Sequence, residues 1–173
     1  MTRAIKAARK WLAEQRVKTT TLKAPSPRPE PTPPNTTTLK SDAAWSAERK
    51  LAGLGWVIRE NNTTSRRMSH CCYVSSPLAA EALALREAMA DCVNRGTPNL
   101  HCQSDSLLLV NALKSGSLIA ELHGIIADII SLSSAFDFFS ISWIRRSNNK
   151  EADALAKQSL LNASVVITPV RGA

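Results

Sequence analysis

Apolar and polar residues alternate along three early stretches of the chain, and a helical spacing takes over afterwards. The alternation predicts strands at about 37–45, at 51–59, where Leu54, Trp56 and Ile58 share a face, and at about 66–74, with Cys71, Tyr73 and Val74. Short polar turns between them predict a meander. Gly53 and Gly55 interrupt the second strand and mark a bulge or a close approach by another backbone. They are not a phosphate loop, because the rest of that fingerprint is missing. Ser76-Pro77 then starts a helix, with Ser as N-cap and Pro in the first turn. Leu78, Ala82, Leu85, Met89 and Cys92 follow at helical spacing, and Gly96 and Pro98 end it. A short strand is predicted at 99–103, and Ser104-Asp105-Ser106 precedes a second helix that ends near Gly116. Leu118, Leu122, Ile125, Ile129 and Leu132 make a third helix, and Phe139, Ile141 and Trp143 alternate as a strand does. A last helix runs from about Asn149 to Leu161. The order β-β-β-α-β-α-α-β-α is an α/β layer architecture, whose β-α-β units should be right-handed and parallel.

Charge divides the chain differently. The net charge is +8 over 173 residues, but residues 1–40 hold 9 basic and 2 acidic side chains, and residues 41–173 hold 13 and 12. The basic signature therefore belongs to an arm, residues 1–24. Arg3, Lys6 and Lys10 fall on one face of a helical pattern there, and Ile5, Ala8 and Leu12 on another. Such an arm suits nucleic acid or an anionic surface, and its bland reading is a solvated leader. A basic amphipathic start also has the form of a mitochondrial presequence, against which Glu14 counts, so nucleus or cytoplasm is the expected compartment. Residues 25–36 carry Pro25, Pro27, Pro29, Pro31, Pro33 and Pro34 and form an extended linker. The folded domain is expected at 37–163, with a tail at 164–173. An apolar content of 44% excludes wholesale disorder, and no run approaches the ~18 apolar residues of a membrane span. No membrane partner is expected, and a monomer is the default. Four cysteines without a secretory leader argue against a disulfide scaffold, and Cys71, Cys72, Cys92 and Cys102 lack paired zinc-site spacing. They read as small core fillers. His70, His101 and His123 lie on different elements and read as structural. Trp45, Trp56 and Trp143 have the spacing of core aromatics within strands.

Four acids sit at the ends of elements. Asp42 lies inside the first strand, Glu81 one turn into the first helix, Asp105 at the end of the fourth strand and Asp153 one turn into the last helix. Taken singly, Asp105 serves as a helix cap, and Glu81 and Asp153 suit the helix dipole. Asp42 is different. Asp is depleted in strands, and its neighbours include Leu39, Ala43, Ala44 and Trp45. A buried carboxylate needs a partner, and several carboxylates at one point repel one another without a cation. Mg²⁺ takes such oxygen ligands, and two ions about 4 Å apart can activate water and stabilise the leaving oxygen of a phosphodiester.

These residues carry a resemblance. Lys40-Ser41-Asp42-Ala43-Ala44-Trp45, Leu51-Ala52-Gly53-Leu54-Gly55-Trp56-Val57-Ile58-Arg59, Pro77-Leu78-Ala79-Ala80-Glu81-Ala82-Leu83-Ala84-Leu85-Arg86-Glu87-Ala88, Gln103-Ser104-Asp105-Ser106 and Asn149-Lys150-Glu151-Ala152-Asp153-Ala154-Leu155-Ala156-Lys157 follow in order. Together they resemble the type 1 ribonuclease H-like domain of plant non-LTR retrotransposons, over residues 40 to about 161. The basic arm and proline linker look like the segment that joins this domain to the reverse transcriptase part. The resemblance implies a five-stranded mixed sheet of order 3-2-1-4-5 flanked by helices. It implies that Asp42, Glu81, Asp105 and Asp153 bind two Mg²⁺ or Mn²⁺ ions and that the RNA strand of an RNA–DNA hybrid is hydrolysed. Asn149 also matches and is read as the N-cap of the last helix, with substrate contact the lesser reading.

The sequence departs from that pattern in two places. Many active relatives have Gly directly after the first Asp, where this chain has Ala43. Cellular relatives carry a His in the loop before the last helix, where this chain reads Arg145-Arg146-Ser147-Asn148. Arg145 and Arg146 either hold substrate phosphate or are a solvated strand end. Two functions therefore compete: a metal-dependent hybrid endoribonuclease, and a catalytically weak or inactive nucleic-acid-binding remnant of a retroelement.

Overall fold

The computed structural model describes residues 32–166 apart from Leu118. The arm at 1–24, the linker as far as residue 31 and the tail from residue 167 lie outside the described residues. The order is β1 (Thr37–Ser46), β2 (Leu51–Glu60), β3 (Thr63–Cys72), α1 (Pro77–Asn94), β4 (Asn99–Ser104), α2 (Leu107–Ser115), α3 (His123–Ser133), β5 (Phe138–Trp143) and α4 (Lys150–Val166). Short 3₁₀ turns at Ala120–Leu122 and Arg146–Asn148 precede α3 and α4. The sheet order is β3-β2-β1-β4-β5, as the resemblance implies. β1, β2 and β3 pair antiparallel, whereas β4 joins β1, and β5 joins β4, in parallel.

Local chemistry explains most boundaries. Asn61, at φ 44°, sits in the tight turn between β2 and β3, and Asn tolerates that left-handed conformation better than most residues. The Ser76 hydroxyl accepts from the Ala79 amide at 3.1 Å and caps α1, with Pro77 in the first turn. Gly96, at φ 71°, follows the C-cap. Small residues fill the inner face of α1, where Ala80, Ala82, Ala84 and Ala88 are fully buried. α1 packs on β1 and β2 from one side of the sheet, and α4 packs on β1, β2 and β3. With both faces covered, β2 is buried from Leu51 to Ile58 without a break.

Gly53 and Gly55 mark a close approach and not a bulge, since the β1–β2 register runs past both without interruption. A Cβ on Gly55 would stand 2.5 Å from both the Ala152 carbonyl oxygen and the Ala156 amide nitrogen. One on Gly53 would strike the Ala156 carbonyl and the Leu160 amide. The two glycines therefore let α4 lie directly on β2.

Several sequence expectations shift. The third strand covers Thr63–Cys72 and not 66–74, because its ladder with β2 ends where Cys72 meets Leu51. Tyr73 then turns away at φ 60° and is 93% exposed. The expected third helix is broken: Leu122 enters the core from a 3₁₀ turn, Glu121 there accepts from the Ser76 hydroxyl at 2.7 Å, and α3 starts at His123. The last helix continues five residues beyond Leu161, to Val166. Cys92 and Cys102 are core fillers, but Cys72 is exposed and Cys71 half-buried at the end of edge strand β3. Trp56 is in the core, whereas Trp143 is 46% exposed because it stands at the very end of β5.

Candidate active site

Position begins with strand pairing. β1 runs on to Ser46 against β2, but its parallel ladder with β4 stops at the rung Lys40↔Gln103. Past that rung the two central strands part. The sheet changes there from antiparallel to parallel growth, and such a change leaves a crevice at the strand ends. Asp42 lies on β1 just past the last rung, and Asp105 directly follows β4. Glu81, in the second turn of α1, reaches the same place. One ligand atom from each of Asp42, Glu81 and Asp105 lies within 4.8 Å of the others. Among the described residues this is the group of His, Cys, Asp or Glu close enough to share a metal ion.

The electrostatics follow from crowding. Burial, then the nearby Asp105 charge, pushes the Asp42 carboxyl up to about 7. Burial, then Asp42 and Asp105, pushes Glu81 up to about 9. At neutral pH Glu81 keeps its proton. Asp42 and Glu81 share a hydrogen bond, but no N–H or hydroxyl of the described residues donates to the buried Asp42 Oδ2 and Glu81 Oε2 oxygens. Buried oxygens of this kind are rare in native folds and ask for a further partner. A hard divalent cation fits this all-oxygen set, since it would satisfy both oxygens and remove the repulsion.

Asp153 stands apart from that trio. It lies one turn into α4, as expected, but both of its oxygens are engaged by cations. Lys157, one turn further on, donates to Oδ2 at 2.7 Å, and Arg146 donates to Oδ1 at 3.2 Å. Burial alone would raise its pKa, but the bonds from Lys157 and Arg146 outweigh it and hold the carboxyl below its ordinary value. The Arg146 guanidinium bonds Asp153 and also feels Asp42 and Asp105, which raises its pKa. Arg146 is thus a counter-ion of Asp153 whose charge also reaches Asp42 and Asp105. Arg145 is exposed.

Asn149 is not the side-chain cap expected of it. Its backbone carbonyl accepts from the Asp153 amide at 3.0 Å, which opens the helix. Its side chain is 1% exposed and turns into the crevice, where its amide donates to the Ser41 carbonyl at 2.9 Å and approaches Asp105 Oδ1 at 3.4 Å. The reason is the end of the β1–β4 ladder: the Ser41 carbonyl, one residue past the last rung, takes its donor from Asn149. Asp105 does not cap α2 either. Ser106 holds the N-cap position, and its amide bonds the Ser104 hydroxyl at 3.1 Å. The Asp105 carbonyl accepts from the Trp143 indole at 3.1 Å, which leaves its carboxylate for the crevice. His101 is held between the Ser140 and Ser142 hydroxyls, at 2.7 and 3.1 Å, in keeping with a structural role.

Sequence reasoning missed two cations. Lys157 was legible, because Asp and Lys four residues apart on a helix meet. Lys40 was not: its ammonium donates to the Asn148 carbonyl at 2.8 Å, across 108 residues of sequence. Burial and the nearby Arg59 charge lower its pKa.

A five-stranded sheet of order 3-2-1-4-5, with acids gathered where β1 and β4 part, defines a ribonuclease H-like domain. The chain belongs to the reverse transcriptase-like family, whose match spans residues 40–159. Among solved structures it is similar to ribonuclease H1 from the halophilic archaeon Halobacterium salinarum NRC-1, at 23% identity and a TM-score of 0.68, covering 73% of this chain and 98% of that one. It is also similar to the N-terminal ribonuclease H domain of a Mycobacterium tuberculosis protein, at 20% identity and a TM-score of 0.69, covering 78% and 99%. A third is LC11-RNase H1, solved in complex with an RNA/DNA hybrid, at 20% identity and a TM-score of 0.67, covering 75% and 99%. At these identities the likeness establishes the fold. No curated protein sequence matches the chain.

Proposed function

We propose that the chain is a metal-dependent endonuclease that hydrolyses the RNA strand of RNA–DNA hybrids, from a retroelement of the plant non-LTR kind. The observation that carries this reading is the meeting of Asp42, Glu81 and Asp105 within 4.8 Å, with buried oxygens on two of them that receive no N–H or hydroxyl donor from outside the pair. These three would hold Mg²⁺, with Mn²⁺ the alternative, and Asp153 would complete a two-ion set once released from Arg146. Divalent cations held there would neutralise the acids and bring a water into the nucleophile range at neutral pH. The protein groups supply the rest. Asn149 steadies Asp105 from the crevice floor. Arg146, exposed beside Asp153, and its exposed neighbour Arg145 would take backbone phosphate, Arg146 exchanging Asp153 for it. The 2′-hydroxyl distinguishes the RNA strand from the DNA strand.

The test is a cleavage assay on labelled RNA–DNA hybrid, RNA duplex and DNA duplex, each with Mg²⁺, Mn²⁺ or chelator. Metal-dependent cutting of the hybrid's RNA strand alone is expected. Asp105→Asn should lower it more than about 100-fold, beyond the loss typical of an outer-shell group. Equal rates for Asp105→Asn and wild type would remove the site assignment. One observation favours a second reading, a nucleic-acid-binding module without useful catalysis: Asp153 is already neutralised by Arg146 and Lys157. That reading expects salt-sensitive binding and no cutting by the folded chain in either metal.

A further inference from the structure

Two consecutive residues of β1 are fastened to two consecutive residues before α4. Lys40 Nζ donates to the Asn148 carbonyl at 2.8 Å, and the Asn149 side-chain Nδ2 donates to the Ser41 carbonyl at 2.9 Å. The Asn149 tie fills a gap left by the end of a ladder. The Lys40 tie needs its own account, because lysine is not a favoured strand residue. Lys40 stands two residues before Asp42, on the same face of β1, about 6.6 Å away along the strand. The anion whose charge reaches Lys40 is Glu151 in the first turn of α4, but Arg59 and Arg66 occupy its two oxygens at 3.1 and 3.6 Å. The Lys40 ammonium is left to the backbone carbonyl.

The position of that carbonyl gives the tie its consequence. Asn148 closes the 3₁₀ turn that carries Arg146, and its own amide returns to the Arg145 carbonyl at 2.8 Å. Asn149 then starts the helix that carries Asp153. Arg146 and Asp153 therefore lie on either side of the point that Lys40 holds. With Asn149 alone the turn has one attachment to β1 and can pivot about it. With both, its angle to the sheet is set.

We propose that Lys40 is a positioning residue for the acidic centre: its bond to Asn148 sets the turn and helix start that present Arg146 and Asp153 to Asp42, Glu81 and Asp105. The catalytic part of this inference rests on the nuclease reading above, and the structural part does not. Lys40→Met keeps the packed stem and removes the donor, whereas Lys40→Arg keeps a cationic donor. The full chain in wild-type, Lys40→Met and Lys40→Arg forms would be compared by amide hydrogen exchange, by Mn²⁺ titration calorimetry and by hybrid cleavage. In Lys40→Met the Asn148 and Asn149 amides should exchange at least about tenfold faster, with β2 and β3 unchanged, because a local opening is released and not the global one. Mn²⁺ affinity should fall severalfold and kcat by about 10–100-fold, the range of an outer-shell loss, with KM nearly constant. Lys40→Arg should recover most of each. Unchanged exchange at Asn148 and Asn149 would overturn the tie. Faster exchange with unaltered Mn²⁺ affinity and kcat would leave Lys40 merely structural and overturn the positioning role. Should the wild type bind Mn²⁺ but cut no hybrid, the nuclease reading fails alone, and exchange together with Mn²⁺ affinity decides Lys40. A wild type that binds no Mn²⁺ removes both.

Discussion

Three carboxylates of the site have two distinct fates. Asp42 and Glu81 are driven toward their neutral forms by burial and by the nearby Asp105 charge, and Asp153 is held charged by Lys157 and Arg146. Arg146 is 74% exposed in its side chain, so its pair with Asp153 is a surface ion pair of modest worth. Such pairs contribute about 0.2–1 kcal/mol, so Arg146→Ala should tighten divalent-ion binding by no more than about fivefold. Calorimetry with Mn²⁺ would measure it, and weaker binding in the variant would show that Arg146 does not compete with the ion. At this scale Asp42 was the most legible residue, because an acid amid Leu39, Ala43 and Trp45 has few ordinary explanations. Asn149 was half legible. Its place before the helix was clear, but the turn of its side chain into the crevice depends on where the β1–β4 ladder stops, and no local pattern encodes that. Lys40 was illegible for the same reason, its partner being 108 residues away.

Elements depend on one another most where α4 meets β2. Helix and strand touch backbone to backbone over Gly53 and Gly55. Gly55→Ala would force a methyl against the Ala152 carbonyl and the Ala156 amide, neither of which is a flexible side chain. Overpacking of this kind costs about 1–3 kcal/mol, and since α4 carries Asp153, the variant should lose Mn²⁺ affinity along with stability. Chemical denaturation with Mn²⁺ titration checks both, and a Gly55→Ala protein as stable as wild type would mean that α4 can lift at no cost. Strands β1, β2 and β5 and helices α1 and α2 were legible to within a residue or two at most ends, through alternation, the Ser76 cap, Gly96 and Gly116. The single helix expected over Leu118–Leu132 was wrong in detail because apolar spacing does not register a change of axis. There Leu122 is drawn into the core and Glu121 to Ser76, contacts fixed by tertiary packing. The end of β3 was misplaced because Tyr73 continues the strand pattern in sequence but has no rung to occupy.

For the molecule as a whole, the acidic centre sets the sign of a pH dependence. The folded state holds protons on Asp42 and Glu81 up to about 7 and about 9, whereas ordinary values are 3.8 and 4.5. Below the ordinary values both states are protonated and nothing is lost. Between them and the raised values the unfolded chain binds fewer protons, so stability falls as pH rises. Thermal unfolding in chelator should therefore show a lower Tm at pH 9 than at pH 5, and Mn²⁺ should restore part of the difference at pH 8. Asp105→Asn should flatten the slope, because the Asp105 charge helps to raise both groups. A Tm independent of pH across that range would contradict the crowding described for the centre. The sheet order 3-2-1-4-5 came with the family resemblance, whereas the order of elements could be anticipated from the meander, the helix signals and the right-handed crossover rule. The coupling of acid pairs could not, since it arises only when distant segments meet.

The parting of β1 and β4 has one more consequence. A single strand, β1, sets the register of the core through Leu39 and that of the crevice through Asp42, and a slip of one residue would turn both to the wrong face. Framework and chemistry are therefore inherited together. A descendant of this chain that still folds but has lost its acidic centre would carry the lesion in a replaced side chain and not in a shifted backbone, and that history would be readable from its codons.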